Sequence, residues 1–146
     1  MNLRAGILIV FCFVAELAQG QTGFFMLLDK SSPCTTPVLS MDKNREYCIT
    51  PEPIIEEKEF TISSNIGFNL PHTEKYFNLK LSAKALSVWK LLARNMSDKL
   101  VFVVEGRAVG FFSGGRIEGQ TISISGKADT DDIDWVYTKL KERASK

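Results

Sequence analysis

An uninterrupted apolar run, Leu100–Val104 (LVFVV), is the sequence feature that most constrains the fold. Successive side chains of a strand point to opposite faces, so a run without polar residues needs cover on both faces. The run therefore predicts a central strand that is covered on both faces by this chain, or on one face by a partner. The chain has 146 residues, of which 45% are hydrophobic and 24% charged, a composition typical of one globular domain.

The segment before this run predicts a strand followed directly by a helix. Phe77, Leu79 and Leu81 alternate with polar residues, the pattern of a half-buried strand. Ser82 is a preferred residue type for a helix N-cap. The residues after it repeat at helical spacing and form one apolar stripe: Ala85, Val88, Trp89, Leu91, Leu92 and Met96.

The segment after the run predicts another strand and a second helix. Ile122 and Ile124 alternate with polar residues, and Gly126 then ends the strand. Thr130 or Asp129 is expected to cap the helix. Its apolar positions are Ile133, Val136, Tyr137 and Leu140, with acids at its start and Lys139, Lys141 and Arg143 near its end.

Shorter strand patterns occupy the first half of the chain. An apolar strand is predicted at Gly23–Leu28, a strand pair at Val38–Met41 and Tyr47–Thr50, and another strand around Glu59–Ser63. With two helices and short connections, this order predicts an α+β fold. We expect a single domain with an antiparallel or mixed β-sheet and two α-helices packed on one face.

The first 20 residues have the pattern of a cleaved secretory signal peptide. Arg4 is basic, Ala5–Val14 is apolar, and the small residues Ala18 and Gly20 precede a cleavage point before Gln21. The apolar run is shorter than the roughly 20 residues of a membrane span. We therefore expect residues 21–146 to form an exported domain, periplasmic or extracellular, with no transmembrane segment; a retained anchor is the alternative.

The cysteines are also typical of an exported protein. Cys12 lies within the signal, where lipidation is a further alternative, and Cys34 and Cys48 remain in the exported part. A single cysteine pair in an exported chain predicts a disulfide, which would close a loop of about 15 residues and stabilise the fold by about 3 kcal/mol. Two free thiols or a metal pair are the alternatives, but His72 is the only histidine available to complete a metal site.

The stretch Val103–Gly126 contains six glycines, which raises the question of a phosphate-binding loop. The glycines match neither the P-loop pattern nor the dinucleotide fingerprint, and a whole strand separates them from the next helix. That helix begins among like charges that would repel phosphate: Asp129, Asp131, Asp132 and Asp134. The stretch is better explained as a strand, a tight turn at Glu105-Gly106, an irregular hairpin through Ser113–Gly115, and a returning strand.

No arrangement of residues indicates catalysis or a cofactor. A hydrolase needs a nucleophile beside a base, but His72 lies in a loop after a proline and has no evident partner. The paired acids Glu56-Glu57 and Asp131-Asp132 are typical of solvated and helix-start positions. The formal net charge of +1 supplies no field that would recruit nucleic acid or anionic lipid. We expect no enzyme activity, no metal and no cofactor.

In order and spacing, the second half of the chain resembles the head subdomain of the first periplasmic domain of the SecD/SecDF family. The resemblance covers Tyr76–Leu140. The segments that carry it are Leu100–Val104, Glu105-Gly106, Ala108-Val109, Gly114-Gly115, Ile124-Ser125-Gly126 and Thr130-Asp131-Asp132, together with the strand and helix before them. Three departures stand out: Glu105 replaces an aspartate, Gly110-Phe111 stands where a proline-containing segment is expected, and no membrane helices follow.

The resemblance implies a stand-alone module that handles polypeptide without being a translocase motor. We therefore expect a non-catalytic binding protein for a protein or peptide in the cell envelope. Phe111, Phe112, Gly114 and Gly115 are the candidate contacts with the partner; both phenylalanines belonging to the core is the alternative. A small secreted inhibitor or an immunity-type protein is another interpretation of the same sequence, and a hydrolase is a third.

Overall fold

The computed structural model describes residues 20–94, 99–113, 117 and 119–146. The predicted signal peptide, apart from Gly20, and the glycines at 114 and 115 lie outside the described residues. The strands are β1 (Gly23–Met26), β2 (Pro37–Ser40), β3 (Glu46–Cys48), β4 (Ile55–Glu56), β5 (Phe60–Ile62), β6 (Gly67–Phe68), β7 (Glu74–Leu81), β8 (Lys99–Val104), β9 (Arg107–Ser113) and β10 (Thr121–Lys127). The helices are α1 (Ala83–Ala93) and α2 (Asp132–Ala144), and a 3-10 turn covers Glu57–Glu59.

The strands form two sheets, instead of the single sheet that the sequence predicts. The larger sheet has the order β3-β2-β9-β8-β1-β4, and its β2–β9 pair is parallel while the others are antiparallel. The smaller sheet has the order β10-β7-β5, and β6 also pairs with β7. The α+β class is confirmed, with one mixed and one antiparallel sheet.

The apolar run forms β8, which is covered on both faces by the chain itself. Leu100, Phe102 and Val104 enter a large core shared with the smaller sheet and both helices. Val101 and Val103 point the other way, into a smaller core. All five side chains are at most 2% exposed. The prediction of a central strand is confirmed, and no partner is needed to cover it.

The larger sheet curls around the smaller core. Beyond β3, Ile49 forms a bridge with Leu27, and the Thr50 amide donates to the Met26 carbonyl at 3.0 Å, so the chain after β3 pairs with the chain after β1. The predicted disulfide, Cys34–Cys48, joins the loop before β2 to β3, with its Cα atoms 5.6 Å apart. The cross-link therefore ties this curled region together.

Both helices contact β7 and contribute side chains to the large core. The helix and its cap at Ser82 are confirmed for α1, because the Ser82 hydroxyl accepts the Ala85 amide at 3.1 Å. Leu91 is wrongly placed in the apolar stripe, since it is 66% exposed, and Met96 lies outside the described residues. For α2 the predicted cap is wrong: the N-cap is Asp131, and the Thr130 hydroxyl instead donates to the Lys127 carbonyl at 3.1 Å. The charge distribution is as expected, with acids in the first turn of α2 and bases in the last.

The tight turn at Glu105-Gly106 is confirmed. Both residues have positive φ, 46° and 76°, as in the two-residue turns that match the twist of hairpin strands. The Glu105 amide donates to the Thr22 hydroxyl and the Gly106 amide to the Gln21 carbonyl, each at 3.1 Å. The expected hairpin after this turn is wrong, since β9 belongs to the larger sheet and β10 to the smaller one.

Candidate functional site

The outer edge of β9 has a strand neighbour only at its beginning. β2 pairs with β9 through Leu39–Arg107 and Ser40–Ala108 and then turns away. On its other side, β9 pairs with β8. Within the described part of the chain, no strand flanks the outer side of Val109–Ser113. Such an edge presents main-chain donors and acceptors to another strand.

The hydrogen-bond pattern shows which peptide groups of β9 face this edge. The Leu27 amide donates to the Lys99 carbonyl at 2.9 Å, so Lys99 and every second residue of β8 turn their peptide groups to β1. The peptide groups of Leu100 therefore face β9, where Leu100 pairs with Phe112. Since alternate residues point oppositely, the peptide N–H and C=O of Phe111 face the outer edge.

The two phenylalanines of β9 lie on opposite faces of the larger sheet. Phe112 packs against the large core, with its ring centroid 5.8 Å from that of Phe24 and 5.5 Å from that of Trp89. Phe111 is 47% exposed and makes an edge contact with Tyr47 at 4.8 Å between centroids. The structure thus places Phe112 with the core, while Phe111 and Tyr47 form an aromatic pair that is open to solvent on one side.

The other two predicted contacts are Gly114 and Gly115. Gly114 and Gly115 follow Ser113, the last residue of β9, and lie outside the described residues. The opposite placement of Phe111 and Phe112 follows from strand alternation, and that signal was present in the sequence.

His72 lies far along the chain from this edge, in the exposed loop between β6 and β7. Its backbone has φ 68°, and its amide donates to the Asn69 carbonyl at 2.6 Å. The Asn69 side chain binds Thr73 and Glu74, at 3.2 and 2.8 Å, and holds the loop closed. The His72 ring lies against Phe68, 5.6 Å between centroids. These contacts hold the imidazole against the loop, and among the residues that the structure describes it is paired with no nucleophile.

One of the acids at the start of α2, Asp134, has a basic partner. Lys75, whose side chain is 14% exposed, binds Asp134 at 2.5 Å and donates to the Thr130 carbonyl at 3.3 Å. This lysine is held between β7 and α2 by the protein's own carboxylate and carbonyl. Its ammonium is therefore already coordinated, and it joins the helix start to the smaller sheet.

A groove that the sequence did not reveal runs between β5 and the last turns of α2. Its volume is about 880 Å³, within the range of ligand-binding pockets. Phe60, Ile62 and Leu79 of the smaller sheet and Leu140 of α2 are among its apolar lining. Its charged rim includes Glu56, Glu57, Lys58, Lys141 and Arg143, and Thr22 and Pro53 also line it. No sequence pattern could have found it, because its two walls are about 80 residues apart.

An ion pair lies in the lining of this groove. The Arg143 guanidinium donates to both carboxylate oxygens of Glu57, at 2.6 and 2.8 Å, and Glu105 lies 3.8 Å from it. The hydrogen bonds with Glu57 raise the pKa of Arg143 above its ordinary value. Nearby, the hydrogen bond from Lys58, 2.7 Å away, lowers the pKa of Glu56. Glu56 and Glu57, the two acids of the rim, thus each form an ion pair with a base.

No family model matches the chain, and the searches of curated proteins and of solved structures found nothing similar to it. Among the residues that the structure describes, no helix has the length and apolar character needed to cross a membrane. In the same residues, no three histidine, cysteine, aspartate or glutamate side chains come together as a metal site would require.

Proposed function

We propose that the protein is an exported, non-catalytic module that binds an extended polypeptide by adding it as a strand to the outer edge of β9. The observation that carries the proposal is the edge at Val109–Ser113, where the peptide groups of Phe111 point outward beside its half-exposed ring. Main-chain hydrogen bonds would supply affinity that is independent of sequence. The aromatic pair would supply the apolar contact.

The position of β2 supports this mode of binding. β2 occupies the outer side of β9 at Arg107–Ala108 in the parallel direction and then leaves the sheet at Ser40. A bound segment would continue the line of β2 along the rest of β9. Phe111 and Tyr47 lie beside that line, and aromatic residues are the side chains most often responsible for binding energy at interfaces.

Export is supported by two independent features. The disulfide between Cys34 and Cys48 is typical of proteins that fold in an oxidising compartment. The N-terminal sequence has the pattern of a secretory signal. We propose that the mature domain acts in the periplasm or outside the cell.

The relation to the SecD/SecDF head subdomain is part of the same proposal. It rests on sequence motifs over Tyr76–Leu140, where a strand and a helix precede the apolar run and its Glu105-Gly106 turn, and Ile124-Ser125-Gly126 precedes the last helix. Polypeptide handling by that subdomain is consistent with an exposed strand edge in this chain. A non-catalytic role agrees with the position of His72, which is paired to no nucleophile within the described residues.

The test uses capped nine-residue peptides with alternating apolar and polar residues, labelled for fluorescence anisotropy. Phe111→Ala should weaken binding about tenfold to thirtyfold, the effect of losing an aromatic interface anchor. Phe68→Ala is the matched control, because Phe68 is 48% exposed but lies on the smaller sheet. A thermal melt of each variant establishes that it remains folded.

Unchanged binding by a folded Phe111→Ala variant would overturn the proposal, as would an equal loss in Phe68→Ala. Failure of every peptide in the set to bind the wild-type protein would also overturn it. Methylation of alternate peptide nitrogens provides the main-chain test: loss of binding at every second position supports strand addition, and uniform tolerance contradicts it.

A further inference from the structure

The groove beside β5 is the open end of the large core. Phe60 and Ile62 of β5 point to the same side as the core, while Thr61 between them is exposed. Leu140 of α2 lies above them and is 5% exposed. The last turn of α2 and β5 thus line the same space, which has a volume of about 880 Å³ and includes these apolar side chains in its lining.

The main chain of β5 directs hydrogen-bonding groups into this groove. The Ser82 amide donates to the Glu59 carbonyl, and the Ser63 amide to the Asn78 carbonyl. In an antiparallel ladder, hydrogen-bonded pairs recur at every second residue. The peptide groups of Thr61 therefore face β7, while those of Phe60 and Ile62 face away from it. The Phe60 amide donates to the Glu57 carbonyl. The carbonyl of Phe60 and the N–H and C=O of Ile62 therefore remain facing the groove.

The rim of the groove carries both acids and bases. Three bases and two acids surround the groove, and the acids Glu56 and Glu57 are each bound to a base of the rim. Lys141 is the remaining base; its ammonium lies 5.3 Å from the Tyr137 ring centroid and has no carboxylate partner among the described residues. An acidic side chain on the occupant would complement it.

We propose that this groove is a second docking site, which takes an extended peptide segment as an additional strand beside β5. One apolar side chain of the segment would rest on Phe60, Ile62 and Leu140, and an acidic side chain would approach Lys141. The site belongs to the smaller sheet and is separate from the β9 edge of the larger sheet. The inference therefore goes beyond the proposed function and does not rest on it.

The test compares two tryptophan substitutions on exposed positions of α2. Ala144 lines the groove, so Ala144→Trp fills it; Thr138 is exposed and does not line it, so Thr138→Trp is the matched control. The probe is a capped nine-residue peptide of alternating leucine and threonine with one aspartate, and a second version carries asparagine instead. Binding is measured by fluorescence anisotropy with the full domain, in a Phe111→Ala background that weakens binding at the β9 edge.

We expect Ala144→Trp to weaken binding at least about tenfold, the loss of one buried apolar anchor, and Thr138→Trp to leave it unchanged. Lys141→Glu should weaken the aspartate peptide several-fold and reduce its preference over the asparagine peptide. Methylation of the peptide nitrogens should abolish binding at alternate positions only. Methylation tolerated at every position would overturn the strand geometry.

Equal binding by Ala144→Trp and Thr138→Trp would overturn the site itself. A second copy of the chain is the competing occupant, and a dimer seen without peptide that Ala144→Trp dissociates would overturn the peptide proposal. Loss of binding on Phe111→Ala alone, with Ala144→Trp silent, would support the β9 proposal and contradict this one. The two proposals therefore fail separately.

Discussion

Replacing Gly126 with alanine tests how closely α2 approaches the smaller sheet. A Cβ atom at Gly126 would lie 2.9 Å from Cγ1 and 3.1 Å from Cδ1 of Ile133, in the first turn of α2. Ile133 is 2% exposed and has little room to move. Adding a methyl group to such a packed site costs about 1–3 kcal/mol, from which about 0.5–1 kcal/mol is offset by the lower chain entropy of alanine in the unfolded state. We expect a net loss of about 0.5–2 kcal/mol.

The assay is urea denaturation followed by tryptophan fluorescence. Gly110→Ala is the matched control, since its Cβ would meet the Phe112 ring at an ordinary 3.5 Å, and it should be neutral or slightly stabilising. Ile133→Ala should cost about 2–5 kcal/mol alone, and in that background the Gly126→Ala penalty should vanish. The reasoning is refuted if Gly126→Ala leaves stability unchanged or raises it, or if its penalty is the same in both backgrounds.

Three further predictions concern the ties of the larger sheet and the groove. Replacing Cys34 and Cys48 together with serine should lower the free energy of unfolding by about 3 kcal/mol, measured by urea denaturation; an unchanged midpoint contradicts this. Glu105→Asn should raise it by about 0.5–1 kcal/mol, because asparagine tolerates the positive φ at this position; a lower melting temperature contradicts this. Arg143→Ala should lower it by about 1 kcal/mol, since Glu57 is a partly exposed partner, and the loss should shrink in 1 M salt. Arg143→Lys should recover only part of this loss, because lysine cannot bind both oxygens of Glu57; full recovery contradicts the bidentate pair.

The regular elements of the second half were predictable because their signals are local. Alternation in β7 and helical spacing in α1 and α2 reflect which side of each segment faces the core. The cap at Ser82 and the tight turn at Glu105-Gly106 follow from residue types at single positions. The cap of α2 was misplaced by one or two residues, since several residues in that region are suitable cap types and their order does not rank them.

The candidate sites were less predictable, because they depend on strands that meet from distant parts of the chain. The sequence predicts Phe111 and Phe112 together, as partner contacts or as core residues. That Phe112 packs against the core depends on where β1 and α1 lie. The groove forms where Leu140 meets Phe60, and nothing local in either segment indicates the other. The six glycines of Val103–Gly126 suggested a hairpin, but β9 and β10 pair in different sheets.

By itself, the sequence determined the composition of the fold: a doubly covered strand at Leu100–Val104, a half-buried strand at Glu74–Leu81, two amphipathic helices and a cysteine pair. Those properties depend on side-chain periodicity and residue chemistry, which can be recognised within short segments of the sequence. Only the tertiary structure decided that the strands divide into two sheets, that β2 leaves the outer edge of β9 after two residues, and that β5 and the end of α2 line one groove. Strand pairing joins segments far apart in the chain, and its register is set by the packing of both cores together.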